Sequence, residues 1–268
     1  MSSTVSVTIA DGIADVRLNR PEKHNALNLE LFHALDELLL RLADEPGLRA
    51  VVVSGEGASF CAGIDIASLS ANPEQLKTMH EMLRQCDERG ANIYQRICLG
   101  WQRLPIPVIA ALQGHCYGGG MQIALGCDIR LAAADAKLSI MEIRWGLIPD
   151  MGASVSARAL LRYDTLLDLT LSGRVIEADE ALSLGLVTRQ VEQVQQSAMD
   201  LARTFAAQSP DAVRGAKQLF LQSRLASESE ALALEAKIQG SLMGQPNQME
   251  AVMAGMAGRK AVFKDSGH

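Results

Sequence analysis

The sequence predicts an α/β protein, a core of short strands alternating with helices followed by an all-helical tail. Three observations lead there. Val5–Ile9 and Ile13–Leu18 alternate apolar and polar residues around the turn signal Asp11-Gly12, as a hairpin does. Ala50–Gly55 and Ile106–Leu112 are short, continuous apolar runs, the pattern of strands covered on both faces. From about residue 194 onward the apolar spacing is helical, and no low-complexity linker precedes it. A chain of 268 residues holds one large domain, or one domain with a small appendage.

Taken in order, residues 5–18 read as the hairpin and Asn19 to Asn25 as a polar loop with two basic side chains and a proline. Asn28 can cap the next helix, whose Phe32, Leu35, Leu38, Leu39 and Leu42 lie at helical spacing. Strand 50–55 leads into the Gly/Ala-rich stretch Glu56–Ile66. Residues 72–104 read as one helix or two, broken near Gly90. Strand 106–112 precedes a glycine turn, Gly114 to Gly120, and a helix over 121–126. Strands are expected at 127–133 and 137–140, a loop over 141–152, and helices at 154–161, 165–172 and 177–184. A short strand follows at 186–191, then helices at 194–207, 210–223, 227–243 and 246–258. The division is 1–193 for the core and 194–268 for the helical region, whose apolar faces must pack on the core or on a neighbouring subunit.

Composition excludes several classes. Aromatic content is 4% and the net charge is −6, from 25 basic and 31 acidic residues, so neither a base-stacking platform nor a field for a nucleic-acid backbone is present. No apolar run approaches the roughly 20 residues that span a bilayer. Met1 to Val5 carries no charged stretch ahead of an apolar one, so no signal peptide is expected. The five cysteines (Cys61, Cys86, Cys98, Cys116, Cys127) are odd in number and form no C-x-x-C, which suggests neither a disulfide framework nor a zinc site. No metal and no cofactor is expected, and a reducing cytoplasm is the expected compartment.

Two strand-to-glycine turns recur, Ala62-Gly63-Ile64 and Gly118-Gly119-Gly120. One backbone N–H from each, converging on one oxygen, would make an oxyanion hole able to polarise a carbonyl and hold an enolate. Phe60-Cys61-Ala62-Gly63-Ile64-Asp65, followed by Gly114-His115-Cys116-Tyr117-Gly118-Gly119-Gly120, resembles the two-part signature of the crotonase, or enoyl-CoA hydratase/isomerase, superfamily. The resemblance runs from the first hairpin to Phe263-Lys264. It implies a spiral of repeated β-β-α units whose C-terminal helices build homotrimers, commonly paired as hexamers. The ligand it implies is an acyl-CoA thioester, with coenzyme A as part of the substrate. Ile64 and Gly119 N–H would bind the thioester oxygen. Asn25, Ala26 and Ala62, with Gly63, Asp65, Ile66 and Gly118 around them, would line the substrate. Lys23 and Lys264, the latter beside Phe263 and from a neighbouring subunit, are candidates for the CoA phosphates; the alternative for both is plain surface solvation. The stretch from Ser68 to Gly100 is expected to shape the acyl pocket, and Trp145 either walls that pocket or fills the core.

The reaction turns on three positions. Hydratases of the family resemble one another in carrying two glutamates. The second matches Glu142, but the first falls on Gln122, and an amide is neither general acid nor base near neutral pH. Glu142 to Gly152 resembles the E-x-x-x-G-x-x-x-D-x-G stretch of dienoyl-CoA isomerases, in which the Glu and Asp move protons at the two ends of a diene. Glu142 and Asp150 are therefore the expected proton-transfer groups, with Gln122 a hydrogen-bonding stand-in for the Asp those isomerases have there. Each has a blander reading. Asp150 could cap the helix near Ser154, and Glu142 could pair with Arg144 or Arg158. Cys61 and Cys116 have no identified base and read as small buried side chains, and His115 as packing beside the turn.

Overall fold

The structure, a computed structural model, describes residues 4–66 and 73–265. Its strands are β1 (Val5–Ala10), β2 (Ile13–Leu18), β3 (Ala50–Gly55), β4 (Val108–Leu112), β5 (His115–Tyr117), β6 (Ile129–Ala132), β7 (Lys137–Ser139), β8 (Ile176–Glu177) and β9 (Arg189–Gln190). Its helices are α1 (Leu29–Ala43), α2 (Pro73–Met82), α3 (Ile93–Arg103), α4 (Gly119–Gly126), α5 (Ala153–Ser156), α6 (Tyr163–Ser172), α7 (Ala178–Ser183), α8 (Val194–Ala206), α9 (Pro210–Ser223), α10 (Glu228–Leu242) and α11 (Pro246–Met256). The main sheet has the order β1-β2-β3-β4-β6-β9, and a smaller one the order β5-β7-β8. The β1–β2 hairpin is antiparallel and every later pairing in the main sheet is parallel.

Strand β3 shows why its sequence is apolar throughout, since all six residues are buried. Side chains alternate between faces. Ala50 and Val52 join Ile13, Ile109, Ala111 and Leu131 beneath Val194, Ala198 and Ala202 of α8. Val51 and Val53 point the other way, into the larger core with Phe32 and Leu35 of α1 and Ile97 and Trp101 of α3. Each such Val, Leu, Ile or Phe side chain gains about 1.5–3 kcal/mol on burial. Asn28 caps α1 as expected, its side chain accepting from Leu31 N at 2.9 Å.

Several expected boundaries move for local reasons. Residues 73–103 form two helices, with Gly90 at φ +76° in the connection. Residues 68–72 of the expected pocket segment lie outside the described residues. Inside the glycine turn, His115–Tyr117 pairs with Lys137–Ser139 as a strand, and α4 starts at Gly119 itself. The 141–152 loop opens with a 3-10 turn, Glu142–Trp145, and 154–161 becomes α5 followed by a 3-10 turn over Ala157–Ala159. Strand 186–191 shrinks to β9, which finds only two ladder partners on β6.

Helix α8, the first of the 194–268 stretch, belongs with the sheet it covers. The following helix is tethered by Lys217, whose Nζ lies 2.6 Å from Asp128 and 2.7 Å from the Ile106 carbonyl. The C-terminal residues return to the sheet's edge, where Arg49 holds Asp265 at 2.7 Å and donates to the Phe263 carbonyl at 3.2 Å.

Candidate active site

The two glycine turns meet. Cys61 bridges Cys116 of β5: Cys61 N donates to His115 O and Tyr117 N to Cys61 O, both at 2.9 Å. On the other side Leu27 bridges Ile64, with Leu27 N donating to Gly63 O at 2.7 Å and Asp65 N to Leu27 O at 2.9 Å. Those bonds use the neighbours of Ile64, so in an extended segment its own N–H points away from Leu27. Gly63, at φ +92°, makes the approach possible: a Cβ there would lie 2.9 Å from the Tyr117 carbonyl oxygen and 3.7 Å from Gly119 N. Gly119 is the first residue of α4, so its N–H has no acceptor within the helix and carries part of the dipole's positive end. Among the described residues neither the Ile64 nor the Gly119 N–H donates to a backbone carbonyl. The two N–H groups lie close together where Gly63 packs against the start of α4.

Glu142 lies beside it, buried at 8% exposure. A Cβ on Gly118 would be 3.6 Å from Glu142 Oε1. Gln122 Nε2 donates to that oxygen at 2.7 Å, while Oε2 is buried with no hydrogen-bond partner. Burial pushes the Glu142 carboxyl above the ordinary glutamate value and the Asp150 charge adds to the rise, while the Gln122 hydrogen bond opposes it. Asp150 is open to solvent at its surface, yet the atoms packed around it desolvate it and raise its carboxyl as well. Neither bland reading holds. No ion pair to Glu142 forms among the described residues, and α5 starts after Gly152 with no side-chain cap. Glu142 beside Gly118, with Asp150 within electrostatic reach of it, is an arrangement that can move protons next to a polarised carbonyl.

The enoyl-CoA hydratase/isomerase family profile matches residues 8–266. The chain belongs to that family. It is 33% identical over 271 residues to the mitochondrial Delta(3,5)-Delta(2,4)-dienoyl-CoA isomerase of Mus musculus, covering 96% of this chain and 80% of the relative. It is 31% identical over 268 residues to a probable enoyl-CoA hydratase of Bacillus subtilis, covering 98% and 99%. The crystal structure of enoyl-CoA hydratase from Bacillus anthracis superposes with a TM-score of 0.89 at 28% identity, covering 98% of this chain and 100% of that one. The crotonase fold follows, and with it an acyl-CoA substrate class.

The other expected residues of this family member sort by place. Asn25, Ala26, Ala62, Gly63, Ile64, Asp65, Ile66, Gly118 and Gly119 gather around the two turns through the Leu27 and Cys116 bridges. Two of their side chains are occupied in holding the loop. Asp65 pairs with Arg20 at 3.0 Å, and Arg20 also donates to the Ala26 carbonyl. Asn25, fully buried at φ +57°, accepts from Arg20 N and donates to the Glu56 and Ser59 carbonyls at 2.9 and 2.8 Å. Arg20 is thus a loop-holding residue that the sequence pattern did not single out; its only signal was a basic side chain five residues before Asn25. Lys23 is exposed on the 3-10 turn Pro21–Lys23. Trp145 is 58% exposed and does not fill the core. Phe263 and Lys264 lie near Arg49, at the start of β3, whereas the turns follow its end. Six strand residues, about 20 Å, separate the two ends. Cys61 and Cys116 are fully buried, which pushes the Cys61 thiol up to about 12 and Cys116 well up, so both stay protonated. His115 stacks on Tyr117 at 4.9 Å and lies 5.2 Å from the His24 ring. Among the described residues no three His, Cys, Asp or Glu side chains are grouped to hold a metal ion.

Proposed function

We propose that this protein is an acyl-CoA double-bond isomerase acting on 3-enoyl-CoA or 3,5-dienoyl-CoA, with Glu142 and Asp150 as its proton-transfer groups. The observation that carries this reading is the pairing at position 122: an amide, not a carboxylate, faces Glu142. The thioester oxygen sits between Ile64 and Gly119 N–H. The Glu142 carboxylate takes a proton from the carbon next to the carbonyl, and the C–H electron pair becomes the enolate, whose negative oxygen the two N–H groups stabilise. Collapse of the extended enolate shifts the double bond as its far carbon takes up a proton. For a 3-enoyl chain Glu142 returns it. For a 3,5-diene Asp150, in its protonated form, delivers it at the far end, and exchange with solvent moves the proton left on Glu142 back to Asp150. Atoms balance, and no cofactor enters beyond the coenzyme A of the substrate. Lys23, and Lys264 from a neighbouring copy, hold the CoA phosphates in a homotrimer or paired trimers. The exposed Phe220, Met253 and Met256 support such an assembly.

Turnover of 3-enoyl-CoA, 3,5-dienoyl-CoA and 2-enoyl-CoA by the wild-type chain tests this. Isomerisation of either of the first two, slowed by Glu142→Gln, supports it. Hydration of the 2-enoyl thioester without isomerisation of the others rejects it.

A further inference from the structure

One side chain joins both candidate proton-transfer groups. Gln122 is 1% exposed on α4. Its Oε1 accepts from Met151 N at 2.8 Å and from Ala153 N at 3.3 Å, the residues on either side of Gly152. Met151 N belongs to the peptide that follows Asp150 directly. With Oε1 committed to two donors, only the amino end can face Glu142, and it does so at 2.7 Å. The orientation of the amide is therefore forced, and it holds the Glu142 carboxylate by Oε1. Gly152 at φ +100° and Gly146 at φ +70° bracket a segment with few anchors of its own, in which Leu147 and Ile148 are 55% and 72% exposed. Its Asp150 end is fixed to the core through Gln122 and through Met151, which is 1% exposed and whose Sδ would lie 3.0 Å from a Cβ on Gly119.

We propose that Gln122 is a positioning residue that sets the spacing between Glu142 and Asp150 and fixes the Glu142 carboxylate beside Gly118. The inference rests on the isomerase reading for its chemical consequence, but not for the latch itself. A carboxylate at position 122 would still accept from Met151 and Ala153 but would face Glu142 with like charge, so the two would share a proton. An apolar residue of similar size would release both ends.

The test compares wild type with Gln122→Leu and Gln122→Glu by two readouts. The first is amide hydrogen exchange of the segment containing Met151 and Ala153, which needs no activity. Protection there is expected to fall at least tenfold in Gln122→Leu and to persist in Gln122→Glu; unchanged protection in Gln122→Leu overturns the latch. The second is the ratio of solvent-deuterium exchange at the carbon next to the thioester carbonyl to isomerised 3,5-dienoyl-CoA. Misplacing Asp150 impairs proton delivery at the far end more than removal at the near end. The ratio is expected to rise about tenfold or more in Gln122→Leu, since misplacement by 1 Å costs up to about 10²-fold. In Gln122→Glu the ratio holds and the acid limb of the pH–rate profile moves to higher pH. A wild-type ratio with a wild-type pH profile in both variants overturns the positioning role. A wild-type chain inert on both substrates rejects the isomerase reading instead, and the exchange protection then still decides the latch.

Discussion

Helix α4 buries all eight of its residues, whereas α10, nearly twice as long, buries none. The first carries Gly119 and Gln122 and is apolar nearly all round, as a helix enclosed by core must be. Its fit is close: a Cβ on Gly126 would lie 1.8 Å from the Cys98 carbonyl oxygen of α3. The second leaves Leu232 55% exposed and belongs to an arm that also exposes Phe220 at 71% and Met256 at 86%. The layer around α4 is packed from within the chain, whereas the arm exposes several large apolar side chains. Substitutions in the two regions should therefore differ in kind: the first alter catalysis and folding, the second association.

The largest effect is expected at Glu142. Glu142→Gln should lower kcat about 10²–10⁴-fold, the usual worth of a positioned base. The same variant should gain about 1 kcal/mol of stability at neutral pH, because it removes a desolvated carboxylate. The sign follows from the raised carboxyl: its contribution to stability is fully present below the unfolded value and is lost as pH rises through the folded one. The stability advantage of Glu142→Gln in chemical denaturation should therefore grow from pH 4 towards pH 7 and vanish in acid. Wild-type activity should fall on the acid side with a midpoint above the ordinary glutamate value, since the base must be ionised.

Gly63→Ala comes next. A side chain at φ +92° against the Tyr117 carbonyl moves the Ile64 N–H, and losing one oxyanion donor costs about 10²–10³-fold in kcat. Single-turnover kinetics with substrate saturating would separate this from weaker binding. Asp150→Asn should slow 3,5-dienoyl-CoA by about 10²-fold and 3-enoyl-CoA by much less; equal slowing of both would assign Asp150 a role other than delivery at the far carbon.

At the small end, Met256→Gln and Leu232→Gln should change the stability of the isolated chain by no more than about 0.5 kcal/mol, as exposed substitutions do. Their effect should appear in sedimentation as a smaller assembly. If either unfolds the chain while leaving its association state unchanged, the contrast between core and arm fails.

The fold was largely legible in the sequence. Period-two alternation marked the hairpin, continuous apolar runs marked β3 and β4, and Asn28 marked the start of α1, because each of these signals is set by burial or capping within a few residues. Two of the short strands were not. Residues His115–Tyr117 and Ile176–Glu177 become strands only through β7, a partner more than 20 residues away from either. The site divides the same way. The residue types that can make an oxyanion hole and move protons, and the absence of a carboxylate at position 122, are properties of the sequence alone. The meeting of Gly63 with Gly119, the capture of Asp65 by Arg20, and the single amide joining Glu142 to the peptide after Asp150 depend on chain segments packed from distant positions. Sequence determines which groups can titrate or donate; only the tertiary structure decides which of them are desolvated and which already have a partner.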